Sequence, residues 1–224
     1  MGIEKKPPNP ELKTLASQVI RLSKLLTRER EGLPAAYLKD EGLRKAYLLY
    51  YLPVNQSKIG KPLQELSSHP RNLFEKEMLR VLDIGAGPAT ASLGALRFFS
   101  GQERKPRLAF TAVDPVRENL KEAESLFASL RSEMGVDASL TTIPADIESM
   151  HRHVRGRYDL IILSNVLNEL FAHEEKKIER RAGVLNQILR TFLDDDGSCV
   201  IIEPALRETS RELLAVRDEL IEQG

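Results

Sequence analysis

The stretch Val81-Leu82-Asp83-Ile84-Gly85-Ala86-Gly87-Pro88-Ala89-Thr90 leaves this chain few folds to choose from. Its first four residues read as a buried strand, and two glycines then turn the backbone. Pro88 suits the first turn of a helix, where its missing N–H costs nothing. Gly85 can turn tightly at positive φ, and Gly87 lets a ligand approach the main chain. The same strand-to-helix pattern recurs downstream. Short β-type runs are predicted at 80–84, 108–113, 139–143, 160–163 and 199–202. Helical segments are predicted near 88–100, 117–133, 174–193 and 205–222. Such alternation implies an α/β fold of Rossmann-like type, with at least five parallel strands, helices on both faces and right-handed crossovers.

The front of the chain has a different pattern. Leu12, Leu15, Ala16, Val19, Leu22 and Leu26 recur at helical spacing between Glu11 and about Arg30. A second helical stretch is predicted from about Pro34 to Leu52, ended by Pro53, and a third from about Asn55 to Leu66. The Pro-rich residues 1–10 are expected to be disordered. Residues 1–78 therefore read as a helical segment that caps the active face and recognises substrate, and residues 79–224 as the ligand-binding domain. The formal charge is zero overall but uneven. Residues 1–80 carry 15 Lys and Arg against 9 Asp and Glu, and the other 144 residues carry 18 against 24. A basic front can meet phosphates, or it can be a solvated helix face.

Composition removes several classes. With 42% apolar and 29% charged residues the chain reads as globular. No apolar run approaches the roughly 20 residues needed to span a bilayer, and the N-terminus lacks a signal-peptide core. A lone cysteine, Cys199, excludes an internal disulfide framework, and its apolar neighbours suggest a core position. His69, His151, His153 and His173 have no metal-ligand spacing. These features together suggest the cytoplasm, with no membrane and no metal.

Acidic residues give the glycine loop its chemistry. Asp83 lies two residues before the first glycine, where it can receive an ammonium group directly or through water. Asp114 ends the second strand, where a carboxylate can accept both hydroxyls of a ribose. Asp146 follows the third strand, placed to accept from an adenine amine. Each alone is an ordinary loop or capping aspartate. Three at successive strand ends fit S-adenosylmethionine, with S-adenosylhomocysteine as product. The expected cofactor-binding set is Asp83, Gly85, Ala86, Gly87, Thr90, Asp114, Pro115, Asp146, Ile147, Ser164 and Asn165. A nicotinamide dinucleotide is the rival ligand, but Thr90 stands where its fingerprint wants a third glycine, and Asp83 is an awkward neighbour for a pyrophosphate.

The fourth strand ends at Ser164-Asn165, beside the expected position of a transferable methyl group. The Asn-or-Asp-Pro-Pro-aromatic motif of many amino-group methyltransferases is missing there. Asn165 and Asn168 are weak catalytic candidates that can orient a substrate. The alternative, which we favour, is that Asn168 and Glu169 open the next helix as cap and first-turn acid. Methyl transfer needs mainly positioning, so a missing base does not exclude it.

Four segments carry a more specific likeness. They are Ala46-Tyr47-Leu48-Leu49-Tyr50-Tyr51-Leu52-Pro53, Leu82-Asp83-Ile84-Gly85-Ala86-Gly87-Pro88, Ser164-Asn165-Val166-Leu167-Asn168-Glu169-Leu170, and Ile201-Ile202-Glu203-Pro204 followed by Arg217-Asp218-Glu219-Leu220-Ile221. From about Leu43 to Gly224 the sequence resembles the bacterial and mitochondrial methyltransferase-like proteins associated with the small ribosomal subunit, within the class I S-adenosylmethionine-dependent methyltransferases. The resemblance implies ribosomal RNA or the assembling small subunit as partner. It also implies a C-terminal continuation, with strands and a cysteine-rich segment, that is expected to be missing here. The chain would then be a truncated form whose sheet lacks its C-terminal edge hairpin. Three functions follow: methylation of ribosomal RNA, a cofactor-loaded assembly factor without chemistry, or a small-molecule methyltransferase.

Overall fold

A computed structural model describes residues 10–27, 37–69 and 73–223. The disorder expected over residues 1–10 falls outside these apart from Pro10. The last residues of the first predicted helix and the first of the second, 28–30 and 34–36, also lie outside. The chain divides into two compact units, residues 1–54 and 55–224. The sequence reading drew its line at residue 79 instead. The segment after Val54 joins the second unit because its apolar face, including Ile59 and Leu63, is buried there.

In the first unit, α1 (Pro10–Thr27) turns Leu15, Val19, Leu22 and Leu26 inward, while Leu12 stays 60% exposed. Asp40 caps α2 (Glu41–Ala46), its Oδ1 accepting from Leu43 N–H at 3.0 Å, and Arg21 pairs with it across to α1. Pro53 does not end the helix as expected. A π-helical segment, Tyr47–Tyr51, runs straight into α3 (Leu52–Gln56), and Leu52 N–H reaches back five residues to the Tyr47 carbonyl. The wider π turn makes room for the proline ring that an α-helical turn would clash with.

The second unit is built on a five-stranded parallel sheet in the order β3-β2-β1-β4-β5. The strands are β1 (Met78–Ile84), β2 (Arg107–Asp114), β3 (Ala138–Pro144), β4 (Tyr158–Ser164) and β5 (Leu193–Ile202). Between and after them come α4 (Gly60–Ser67), α5 (Thr90–Ser100), α6 (Arg117–Met134), α7 (Lys177–Phe192) and α8 (Arg207–Glu222). Alternation along the strands sends Leu82, Ile84, Val113, Ile161 and Leu163 to one face, where Ala182, Leu185 and Ile188 of α7 and Val216 of α8 cover them. The other face presents Ala112 to Leu120 of α6, and Phe110 meets Phe127 edge-on at 5.4 Å. Burial on both faces is what an all-parallel sheet requires.

Several boundaries differ from the sequence reading for local reasons. Ala89, at φ 60°, is the N-cap of α5, so Pro88 sits in the turn before the helix rather than inside it. The helix α7 starts at Lys177, well after Asn168 and Glu169, which lie in a run of turns. The strand β5 begins early, and its register against β4 slips between Tyr158 and Leu160. The Asp194-Asp195-Asp196-Gly197 run has little strand propensity, so the predicted strand starts only at 199. On α5, Gly94 lies against Gln56 and Ile59, and a Cβ there would overlap the Gln56 carbonyl. Among the described residues no helix is long and apolar enough to cross a membrane.

Candidate functional site

From β1 the strand order runs outward to β3, then returns to β4 on the other side of β1. The connections after β1 and β4 therefore leave in opposite directions and open a crevice at their carboxyl ends, the usual ligand position in such sheets. The Gly85–Gly87 turn forms one wall and the segment after Ser164 the other. They touch: a Cβ on Gly85, whose φ is +66°, would fall 2.5 Å from Cγ2 of Val166. Gly87, at φ +54°, faces open space, so a ligand can lie directly on the backbone there.

Asp83 is 1% exposed. Its Oδ2 accepts from both the Ser92 N–H, at 3.0 Å, and the Ser92 hydroxyl, at 2.6 Å. The carboxylate thus lies under the first turn of α5 and satisfies one of its unpaired amides, where negative charge is also favoured by the helix dipole. Burial pushes its pKa up to about 6, against the Ser92 hydrogen bonds, with nearby Asp114 adding to the rise.

Asp114 is also buried and joins β2 to the glycine turn. Its Oδ2 accepts from Gly87 N–H at 2.9 Å, while Oδ1 accepts from Val116 N–H at 2.9 Å and from the Asn119 amide at 3.2 Å. Burial raises its pKa, opposed by those same hydrogen bonds. A carboxylate has about four acceptor positions. Three are filled, and the open one is on Oδ2. With these three donors in place, one acceptor position on Asp114 stays open to a ligand hydroxyl. The Ala86 N–H, beside it, donates to the Val113 carbonyl at 3.0 Å.

The other expected residues surround this centre. Thr90 is buried at the start of α5, and Pro115 is exposed after β2. Asp146 is exposed and turns the chain after β3, its Oδ1 accepting from Ser149 N–H at 2.8 Å. Slight burial raises its pKa, but the hydrogen bonds from Ser149 outweigh this and lower it overall. Ile147, Ser164 and Asn165 are half-buried. Asn165 takes a left-handed conformation, φ 59°, while its N–H donates to the Ile202 carbonyl at 2.7 Å.

Asn168 is engaged within the protein. Its amide donates to Oε2 of Glu203, whose Oε1 accepts from Leu167 N–H at 2.8 Å. Arg181, 2% exposed, donates to the Leu170 and Asn168 carbonyls and to Glu212, which also pairs with Lys177. Burial raises the Glu212 pKa, but these cations more than reverse it. The segment after β4 is thus clamped from below by α7, α8 and the end of β5. Sequence reasoning singled out Asn168 and Glu203 separately but missed Arg181, Ser92 and Asn119. The only signal for the last two was a short polar residue in the first turn of a helix that follows a strand. Cys199 packs against the core, and burial pushes its thiol up to about 12. Among the described residues no cluster of His, Cys, Asp or Glu is placed to hold a metal ion.

Three comparisons bear on this geometry. A family model described as a methyltransferase domain matches residues 75–223. Among solved structures, an O-methyltransferase family protein from Burkholderia thailandensis is 16% identical with a TM-score of 0.52, over 92% of this chain and 58% of that one. The glycopeptide N-methyltransferase MtfA, complexed with S-adenosylmethionine, is 16% identical with a TM-score of 0.44, over 66% of this chain and 53% of that one. The chain thus spans little more than half the length of these two proteins. No curated protein sequence matches it.

Proposed function

The chain belongs to the methyltransferase-domain family, and on that premise we propose that it binds S-adenosylmethionine and transfers its methyl group to RNA of the small ribosomal subunit. The observation that carries the cofactor is the Gly87–Asp114 hydrogen bond, which joins the glycine turn to the end of β2 and leaves one acceptor position open on Oδ2. When bound, the cofactor supplies an electrophilic methyl group on a sulfonium. The Gly85–Gly87 turn would hold its methionine end, Asp114 a ribose hydroxyl, and Asp146 and Ile147 the adenine edge. Ser164 and Asn165 would border the methyl-bearing side. The site fits this ligand better than a pyrophosphate. Asp83 already places a carboxylate under the N-terminus of α5, which opposes a second anion there and favours a ligand carrying positive charge.

The ribosomal acceptor is supported by the four resembling segments and by the excess of basic residues before residue 81. Calorimetry with S-adenosylhomocysteine tests the cofactor. The parent should bind, and Asp114→Ala should bind at least about 30-fold more weakly, since a buried charge-assisted hydrogen bond is lost. Equal affinity, or none in the parent, overturns the cofactor reading. Transfer of labelled methyl to purified small subunits tests the acceptor. Label in the RNA supports the proposal, salt-sensitive binding without label identifies an assembly factor, and label only in small molecules identifies a different acceptor class.

A further inference from the structure

The start of α6 holds a polar group that the fold alone does not need. Asn119 is the third residue of that helix and 3% exposed. Its side-chain nitrogen donates to Oδ1 of Asp114 at 3.2 Å, and because a carboxylate only accepts, this contact fixes which end of the amide faces Asp114. The other end, Oδ1 of Asn119, is buried with no hydrogen-bond partner among the described residues. A buried acceptor without a donor destabilises a fold, and leucine, of nearly the same size, would avoid it. Retaining asparagine makes sense if the bond to Asp114 has another use.

That use follows from how the acceptor positions of Asp114 are filled. Val116 N–H and the Asn119 amide together occupy Oδ1. Among the described residues this leaves one open position, on Oδ2, beside Gly87 and the open space over its backbone. We infer that Asn119 is a positioning residue which locks the Asp114 carboxylate so that Oδ2 meets a ligand hydroxyl, and that it thereby sets preference for ligands with an intact ribose. The inference rests on the cofactor reading above.

The test is a binding cycle on the full chain. S-adenosylhomocysteine and its 2′,3′-dideoxy analogue are titrated into the parent and into Asn119→Leu. The parent should prefer the hydroxylated ligand by about 10-fold or more. In Asn119→Leu that preference should collapse at least 5-fold, with little change in affinity for the dideoxy analogue and with Tm held or raised. A purely structural role predicts the reverse, a lower Tm and equal weakening for both ligands, and would overturn the inference. If Asn119→Leu does not fold, Asn119→Ser, which removes the amide without adding apolar bulk, should show the same collapse, and an unchanged preference there is equally fatal. A parent that binds neither ligand defeats the cofactor reading and the inference together. A parent that discriminates while both variants discriminate equally well defeats the inference alone.

Discussion

Asp83 looks in sequence like a ligand-binding acid, yet its Oδ2 is held inside the protein by Ser92. The fold raises its pKa from 3.8 to about 6, chiefly by burial. The folded state therefore holds the proton more tightly than the unfolded chain. That stabilisation, about 3 kcal/mol for a shift of this size, is complete below about pH 4 and is lost as pH rises through about 6. Asp83→Asn stays neutral throughout and does not follow this trend. In thermal melts, the Tm of the variant relative to the parent should be higher at pH 7.5 than at pH 4.5, by about 5 °C or more. An identical difference at both pH values would show that Asp83 does not titrate as the geometry requires. At the same scale, no local pattern shows that Asp114 is nearly saturated, because its donors come from Gly87, Val116 and Asn119, on both sides of it in the chain.

Among elements, the segment between β4 and α7 departs most from what its sequence suggests. Asn-Glu after a strand looks like the start of a helix. Instead Asn168 bonds to Glu203, and left-handed residues, Asn165 and Phe171, bound a run of turns. Its backbone carbonyls at 168 and 170 are satisfied by a buried arginine rather than by a helix. Removing that side chain takes away the guanidinium bonds to both carbonyls and the Arg181 partner of Glu212. Arg181→Met should therefore lower unfolding free energy in urea by about 3–5 kcal/mol. Its sequence neighbour Arg180 is half-exposed, lies over the Phe171 ring and pairs with Glu148 and Glu174 at the surface. Arg180→Ala should leave the urea midpoint nearly unchanged. Similar losses from both substitutions would mean that the buried clamp carries no special weight. Pro53 teaches the same lesson at another element: a helix breaker by sequence, it is absorbed by the π turn before it.

At the scale of the whole molecule, the second unit contains every expected cofactor-binding residue and both faces of its own core. Residues 55–224 expressed alone should melt cooperatively and bind S-adenosylhomocysteine within about 3-fold of the full chain. A fragment that does not fold would show that the first unit is needed to complete the core. Among the described residues β5 forms one edge of the sheet. Its bulge carries Asp194, Asp195 and Asp196, charges of the kind that discourage edge-to-edge pairing.

The sequence by itself determined the architecture. Periods of two and 3.6 in apolar residues, broken by the Gly85–Gly87 turn, are local signals, so the five strands, their helices and the three strand-end aspartates were legible, to within a few residues except at the early start of β5. Only the tertiary structure decided how those groups are used. It joined Asp83 to Ser92, spent three of the four acceptor positions of Asp114, and bound Asn168 to Glu203 at the adjoining end of the neighbouring strand. Those outcomes depend on which oxygen meets which donor across the sheet. Spacing along a chain carries no record of this, because hydrogen bonding is directional and is settled only when elements distant in sequence pack together.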